Sequence, residues 1–184
     1  MKNFCISLLT CIIISLTAIA VFTPVQSNTH TEYLRIHIRA NSNSQAEQQV
    51  KYVVKDKVVE YLTPYIAECD TKKKAEAMLK SRLSEIEGVA NAVLKNCGFK
   101  YTAQARVCEE KFPTRTYGEL TLEGGFYDAL IIELGSGAGD NWWCVVYPPL
   151  CFVGNGESYV YKSKIYQIIN DFFKDKGGKN EKDH

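Results

Sequence analysis

The sequence predicts an α+β domain of order β-α-α-β-β-β-α, an antiparallel-rich sheet with helices packed on one face, preceded by an N-terminal signal helix. Three observations lead there. Short segments such as "LRIHIR" and "FKYTAQARVC" alternate apolar and polar residues, the period of a strand with one buried face. Two long segments between them repeat apolar residues at three and four, the stripe of an amphipathic helix. The remaining strands then follow one another in a run, which favours segregated α+β packing over repeated βαβ units.

The chain opens with "MKNFCISLLTCIIISLTAIAVFTPVQS", residues 1–27, in which Lys2 precedes an apolar run from Phe4 to Phe22. A charged start, apolar centre and small-residue end form the layout of a secretory signal. Val25-Gln26-Ser27 suits cleavage better than Ala18-Ile19-Ala20, because it leaves a polar start at Asn28. An uncleaved membrane anchor is the alternative, since about 20 apolar residues span a bilayer. A single domain is expected over residues 28–174, with a disordered charged tail at 175–184. The leader holds one of the 22 Lys and Arg and none of the 21 Asp and Glu, so the exported part is formally neutral. Interspersed, balanced charge excludes a basic nucleic-acid footprint and a polybasic membrane patch.

In the first strand, Leu34, Ile36 and Ile38 alternate with Arg35, His37 and Arg39. The polar three should face away from the core, with His37 a surface histidine. Ser44-Gln45-Ala46-Glu47 fits a capping box. It opens a helix carrying Val50, Val53, Val54, Val58, Tyr61 and Leu62, with Pro64 as its stop. A second helix from Asp70 or Thr71 places Ala75, Met78, Leu79, Leu83, Ile86, Ala90, Val93 and Leu94 on one stripe, weakened at Gly88 and closed at Gly98. Phe99 to Cys108 reads as a strand, "RTYGELTL" as another, and Gly124-Gly125 as the reversal into a central apolar strand, "YDALIIELG". A final helix from about Ser158 to Phe173 turns Tyr161, Ile165, Ile168, Ile169 and Phe172 inward.

Few motifs carry chemistry. "GSGAGDN", residues 135–141, has Asp140 where a dinucleotide fingerprint needs glycine and lacks a Gly-Lys-Ser/Thr ending, so it reads as a flexible surface loop. The exported part has five cysteines and no C-x-x-C spacing, and neither His30 nor His37 neighbours one. No metal and no cofactor is expected. A cysteine hydrolase using Cys144 or Cys151 would need His37 as its base.

"GDNWWCVVYPPLCF", residues 139–152, holds both tryptophans. On an extended chain Trp142 and Trp143 face opposite ways, so one can enter the core while the other needs a second surface. With Asn141, Pro148, Pro149 and Leu150 they form a candidate binding patch. A glycan-binding module stacking sugars on either tryptophan, or burial of the second ring under Tyr159, Tyr161 and Tyr166, are the other readings.

These two blocks, "LRIHIRANSNSQAEQQVKYVVKDKVVEYL" at 34–62 and "GGFYDALIIELGSGAGDNWWCVVYPPLCFV" at 124–153, resemble the stage II sporulation protein R family of endospore-forming bacteria. There a strand ending in "RANS" leads into a charged helix, and a Gly-rich loop leads into "NWWCV", a Pro-Pro pair and "LCF". Cys69, Cys97 and Cys108 lie outside that pattern. The resemblance implies a non-enzymatic signal. Such a protein is secreted across the cytoplasmic membrane into the intermembrane space between forespore and mother cell. There it activates a membrane-embedded aspartic protease that processes a sporulation sigma-factor precursor.

Two further expectations concern geometry. "RANS" turns out of the first strand, so Arg39 and Asn41 could be held at the sheet's end as partner-binding groups, or Asn41 could merely build the turn. Cys144 and Cys151 flank Pro148-Pro149, and a bend there would bring them within bridging reach. Cys69 and Cys97 bracket a helix of about 38 Å. The next strand returns Cys108 towards Cys69, which makes Cys69–Cys108 the second candidate bridge and leaves Cys97 free.

Overall fold

The computed structural model describes residues 32–152 and 159–180; the leader and its cleavage patterns lie outside them. The chain runs β1 (Leu34–Arg39), α1 (Gln45–Ile66), α2 (Lys72–Ser81), α3 (Leu83–Asn96), β2 (Ala103–Phe112), β3 (Arg115–Tyr117), β4 (Leu120–Leu122), β5 (Gly125–Leu134) and β6 (Asn141–Tyr147). A 3₁₀ turn (Leu150–Phe152) and α4 (Tyr159–Asn180) complete it. The main sheet has the order β2-β5-β1-β6, and β3 pairs only with β4. β2 with β5 and β1 with β6 are antiparallel, whereas β1 and β5 run parallel. The architecture is therefore mixed α+β with a mostly antiparallel sheet.

The helical segments depart from the expected pattern in three places. Ser44 caps α1 by accepting the Glu47 amide at 3.4 Å. The Glu47 carboxylate does not close a capping box; it accepts from Asn41 Nδ2 at 3.0 Å and from the Tyr101 hydroxyl. Pro64 sits inside α1 rather than ending it, because the helix continues for two more residues and buries Ile66 completely. The long second helix is two helices, broken at Arg82 (φ −119°) and not at Gly88. There the Ser81 hydroxyl donates to the Met78 carbonyl at 2.8 Å, a local bond that competes with helix continuation. The Arg82 guanidinium stacks 3.6 Å from the Tyr65 ring centroid, fixing the corner.

"RTYGELTL" folds as a hairpin instead of one strand, turning at Gly118, whose φ of +61° suits glycine. β2 starts at Ala103, later than expected, and continues to Phe112. Its outer edge is partly closed by α3: Asn91 Oδ1 and Glu87 Oε1 accept the Ala103 and Ala105 amides, each at 2.7 Å. Such side-chain pairing blunts an exposed edge. α4 passes the expected end at Phe173 and runs to Asn180 through part of the segment read as a disordered tail.

Two apolar clusters lie on opposite faces of the sheet. Under the helices, Leu34, Ile36, Ile38, Leu130, Ile132, Leu134 and Val146 pack against α1, α2, α3 and Ile165 of α4. On the other face, Tyr33, Phe112, Tyr127, Ala129, Ile131 and Val145 pack with Leu122 of the hairpin. That second cluster overturns one expectation directly. Arg35 and His37 are 0% and 3% exposed, because Phe112, Tyr127 and Tyr117 of the hairpin enclose Arg35 and Phe112 and Trp143 enclose His37 on the face where they were expected to meet solvent.

The cysteines follow the same division. Cys144 and Cys151 form a disulfide with Cα atoms 6.1 Å apart. Cys69 and Cys108 are free thiols, as is Cys97. Cys69 belongs to the helix-side cluster and Cys108 packs on the other. The sheet stands between them, so a Cys69–Cys108 bridge is ruled out.

Candidate functional site: a charged aromatic face of the sheet

Alternation along β1 sends Arg35, His37 and Arg39 to the face away from α1–α3, and registration brings partners to them. His37 lies opposite Trp143 on β6 and Ile131 on β5; Arg39 lies opposite Asn141 and Glu133. The His37 ring stacks on Trp143 at 5.4 Å between centroids and 28° between planes, and contacts Phe112 at 5.6 Å. Arg115 of the hairpin lies 4.3 Å over the same Trp143 ring. At the other end the Arg35 guanidinium sits 4.2 Å from the Phe112 centroid and 4.7 Å from that of Tyr127. Cation and aromatic groups thus alternate across the face, from Arg115 through Trp143, His37 and Phe112 to Arg35.

Carboxylates complete the site on one side only. Arg39 bridges Glu110 and Glu133, and Arg106 pairs with Glu133 at 2.5 Å. The Arg106 and Arg39 guanidiniums hold the Glu133 carboxyl below its usual range. Burial pushes the His37 imidazole down to about 4, against the raising effect of Asn141, so it is neutral at physiological pH. His37 Nδ1 lies 3.3 Å from Glu110 Oε1 without hydrogen-bond alignment. Among the described residues, every buried side-chain N or O atom lacking a hydrogen-bond partner is on this face: Arg35 Nε and Nη1, His37 Nδ1 and Nε2, and Asn141 Oδ1. Buried polar groups are nearly always paired, so a concentration of exceptions on one face calls for an explanation beyond packing.

The corner between β1 and α1 is built differently, with its polar groups satisfied internally. Asn41 Oδ1 accepts the Ser136 amide at 2.9 Å, Ser136 Oγ donates to the Asn41 carbonyl at 2.8 Å, and Asn43 Oδ1 accepts the Asp140 amide at 2.5 Å. A Cβ on Gly139 would fall 2.4 Å from the Ser42 carbonyl oxygen, so only glycine permits this approach. The loop at 135–141, read as flexible, is pinned at several points. Asn41 spends its side chain on that loop and on Glu47, which makes it a turn-building residue.

Of the other candidate residues, Trp142 and Trp143 are half-buried on opposite faces, with Lys55 Nζ 5.8 Å over the Trp142 ring. Tyr166 is 44% exposed, and the side chains of Tyr159 and Tyr161 lie outside the described residues. Trp143 is covered instead by His37 and Arg115. Pro148 and Pro149 are buried beside a 3₁₀ turn that packs on β6, α1 and α4, so they are not the rigid proline surface that was expected. Leu150 and Asn141 remain half-buried. Sequence reasoning missed Arg35, His37, Glu110, Glu133, Phe112 and Arg115 as site residues. For Arg35, His37 and Glu110 the signal was the charged or polar phase of "LRIHIR" and "QARVCEEKF", which was assigned to solvent.

The described residues contain no cluster of three or more His, Cys, Asp or Glu able to hold a metal, and no helix long and apolar enough to cross a membrane. Fold and site together define a mixed α+β domain bearing a charged aromatic sheet face. The family model for stage II sporulation protein R matches residues 30–157. Stage II sporulation protein R of Bacillus subtilis (strain 168) is 35% identical over 127 residues, which is 68% of this chain and 57% of that protein. The chain belongs to the stage II sporulation protein R family. It spans a little over half the length of this relative, and no solved structure matches it.

Proposed function

We propose that the chain is an exported intercompartmental signal that activates a membrane-embedded aspartic protease, which then processes a sporulation sigma-factor precursor. Membership of the family supports a role in sporulation. The observation that carries the finer reading is the concentration of unpaired buried polar atoms and stacked cations on one sheet face. Exposed Arg115 over the half-buried Trp143 is the part of this face that a partner can reach, and Arg and Trp are the residue types that most often anchor an interface. Trp143, Asn141, Leu150 and Arg39 are the residues of the expected patch that belong to this face, whereas Trp142 packs on the opposite one.

The competing cysteine-hydrolase reading loses its nucleophile, because Cys144 and Cys151 are bonded to each other. The glycan-binding reading is disfavoured at Trp143, whose ring is occupied by His37 and Arg115, which leaves Trp142 as its one platform. The direct experiment is co-expression with the candidate protease and the sigma-factor precursor. Cleavage should appear only when the chain is exported, and Trp143→Ala should be exported yet inactive. Cleavage independent of the chain, or retention of the chain on purified cell wall with no effect on cleavage, would refute the proposal.

A further inference from the structure

The most costly group on the second face is Arg35. Its side chain is fully buried, its Nη2 donates to the Tyr117 hydroxyl at 2.7 Å, and its Nε and Nη1 have no hydrogen-bond partner. Phe112, Tyr117 and Tyr127 surround it within 5.7 Å of their ring centroids, and no carboxylate pairs with it among the described residues. Cation–π contact offsets only part of the cost of removing a guanidinium from water.

A route exists on the side of Tyr117. This residue ends β3, immediately before the Gly118 turn, in a hairpin whose strands pair only with each other. Two strands of three residues are a weakly held unit. Tyr117 also lines a cleft of about 400 Å³ with Glu119, Leu120, Leu150 and Phe173. Among the described residues that line it Glu119 is the one that carries a charge, and Tyr117, whose hydroxyl accepts from Arg35 Nη2, links the cleft to that guanidinium.

We propose that this cleft receives a carboxylate side chain flanked by apolar residues, an aspartate or glutamate of the protease partner, and that Arg35 is its buried counter-ion. Rotation of Tyr117 releases Nη2, which then pairs with Nε on one edge of the guanidinium or with Nη1 on the other to present the parallel donors that a carboxylate accepts in bidentate fashion. Glu119 at the rim favours a single negative charge over two. The assignment rests on the signalling reading for the identity of the partner, and on the geometry of Arg35 for the chemistry.

The test titrates the full chain with acetyl-Leu-Glu-Leu-amide and with its glutamine counterpart, following the amide resonances of Tyr117, Leu120 and Leu150. The glutamate peptide should shift them and bind about tenfold or more tightly than the glutamine peptide. Arg35→Met should abolish that binding while melting at or above the wild-type temperature, because an apolar side chain then fills a cage that held an unpaired charge. Glu119→Gln should bind the glutamate peptide more tightly. Equal binding of both peptides, no binding of either, or a large loss of melting temperature in Arg35→Met overturns the proposal. Binding of phenylpropionate without binding of the glutamate peptide overturns the assignment to a partner side chain. The signalling reading is scored separately, by precursor cleavage with the wild-type chain. If cleavage fails while the glutamate peptide binds, that reading falls alone; if Arg35→Met activates fully, the site falls alone.

Discussion

On one face of the sheet, Leu34, Ile36 and Ile38 of β1 meet Leu130 and Ile132 of β5 beneath α1–α3. On the other, Arg35, His37 and Arg39 of the same strand meet Phe112, Glu133 and Trp143 beneath a two-stranded hairpin. Both faces are covered, yet among the described residues only the second buries side-chain polar atoms without a hydrogen-bond partner. The first face is a core in which close-packed apolar area sets stability. The second gives up part of that stability for a set of charged and aromatic groups held in fixed positions, and this difference is what points to recognition.

The largest effect should come from damaging the first face. Ile132→Ala removes buried methyl groups from a residue that is fully enclosed, and should cost about 2–5 kcal/mol of unfolding free energy in urea titrations. Its activity should fall only in proportion to the unfolded fraction. Activity lost at full folding would blur the contrast between the faces.

Acid should strike the second face through His37. Its folded-state value of about 4 lies below the ordinary 6.5, so the unfolded chain binds the proton more readily. The stabilisation from keeping it neutral is fully present above about pH 6.5 and is lost as pH falls towards 4, on the order of 3 kcal/mol in all. Melting curves across that window should drop more steeply for wild type than for His37→Phe. Parallel curves would contradict the burial of a neutral imidazole.

Reducing the disulfide should matter slightly less. Cys144→Ser/Cys151→Ser opens a short loop and should cost about 2–3 kcal/mol. Asn41→Ala should be smaller again, about 0.5–1.5 kcal/mol, from losing the bond to the exposed Ser136 amide. Activity of the folded Asn41→Ala fraction should be unchanged, which separates this corner from the neighbouring Arg39.

The first face was legible in the sequence and the second was not, for a physical reason. Periodicity identifies Leu34, Ile36 and Ile38 because apolar residues declare a buried face by themselves. The same alternation sends Arg35 and His37 to solvent unless something covers them, and the cover is a hairpin of two short strands that read as one. The helix break at Arg82 was hidden because neither glycine nor proline marks it; it arises from Ser81 back-bonding and the stack on Tyr65. The two tryptophans were correctly separated by strand alternation. Burial of Pro148 and Pro149 depended on the 3₁₀ turn closed by Cys151, a tertiary feature with no local signal.

The most direct measurement pairs one exposed cation from each face in the precursor-cleavage assay. Arg115→Ala removes the guanidinium over Trp143, at a stability cost of about 0.5–1 kcal/mol. Lys80→Ala removes one member of an exposed ion pair with Glu76 on α2, where such pairs contribute little. If the second face contacts the protease, Arg115→Ala should reduce cleavage about tenfold or more while remaining folded, and Lys80→Ala should leave it unchanged. Full cleavage with Arg115→Ala, or an equal loss from both, would contradict the assignment of recognition to this face.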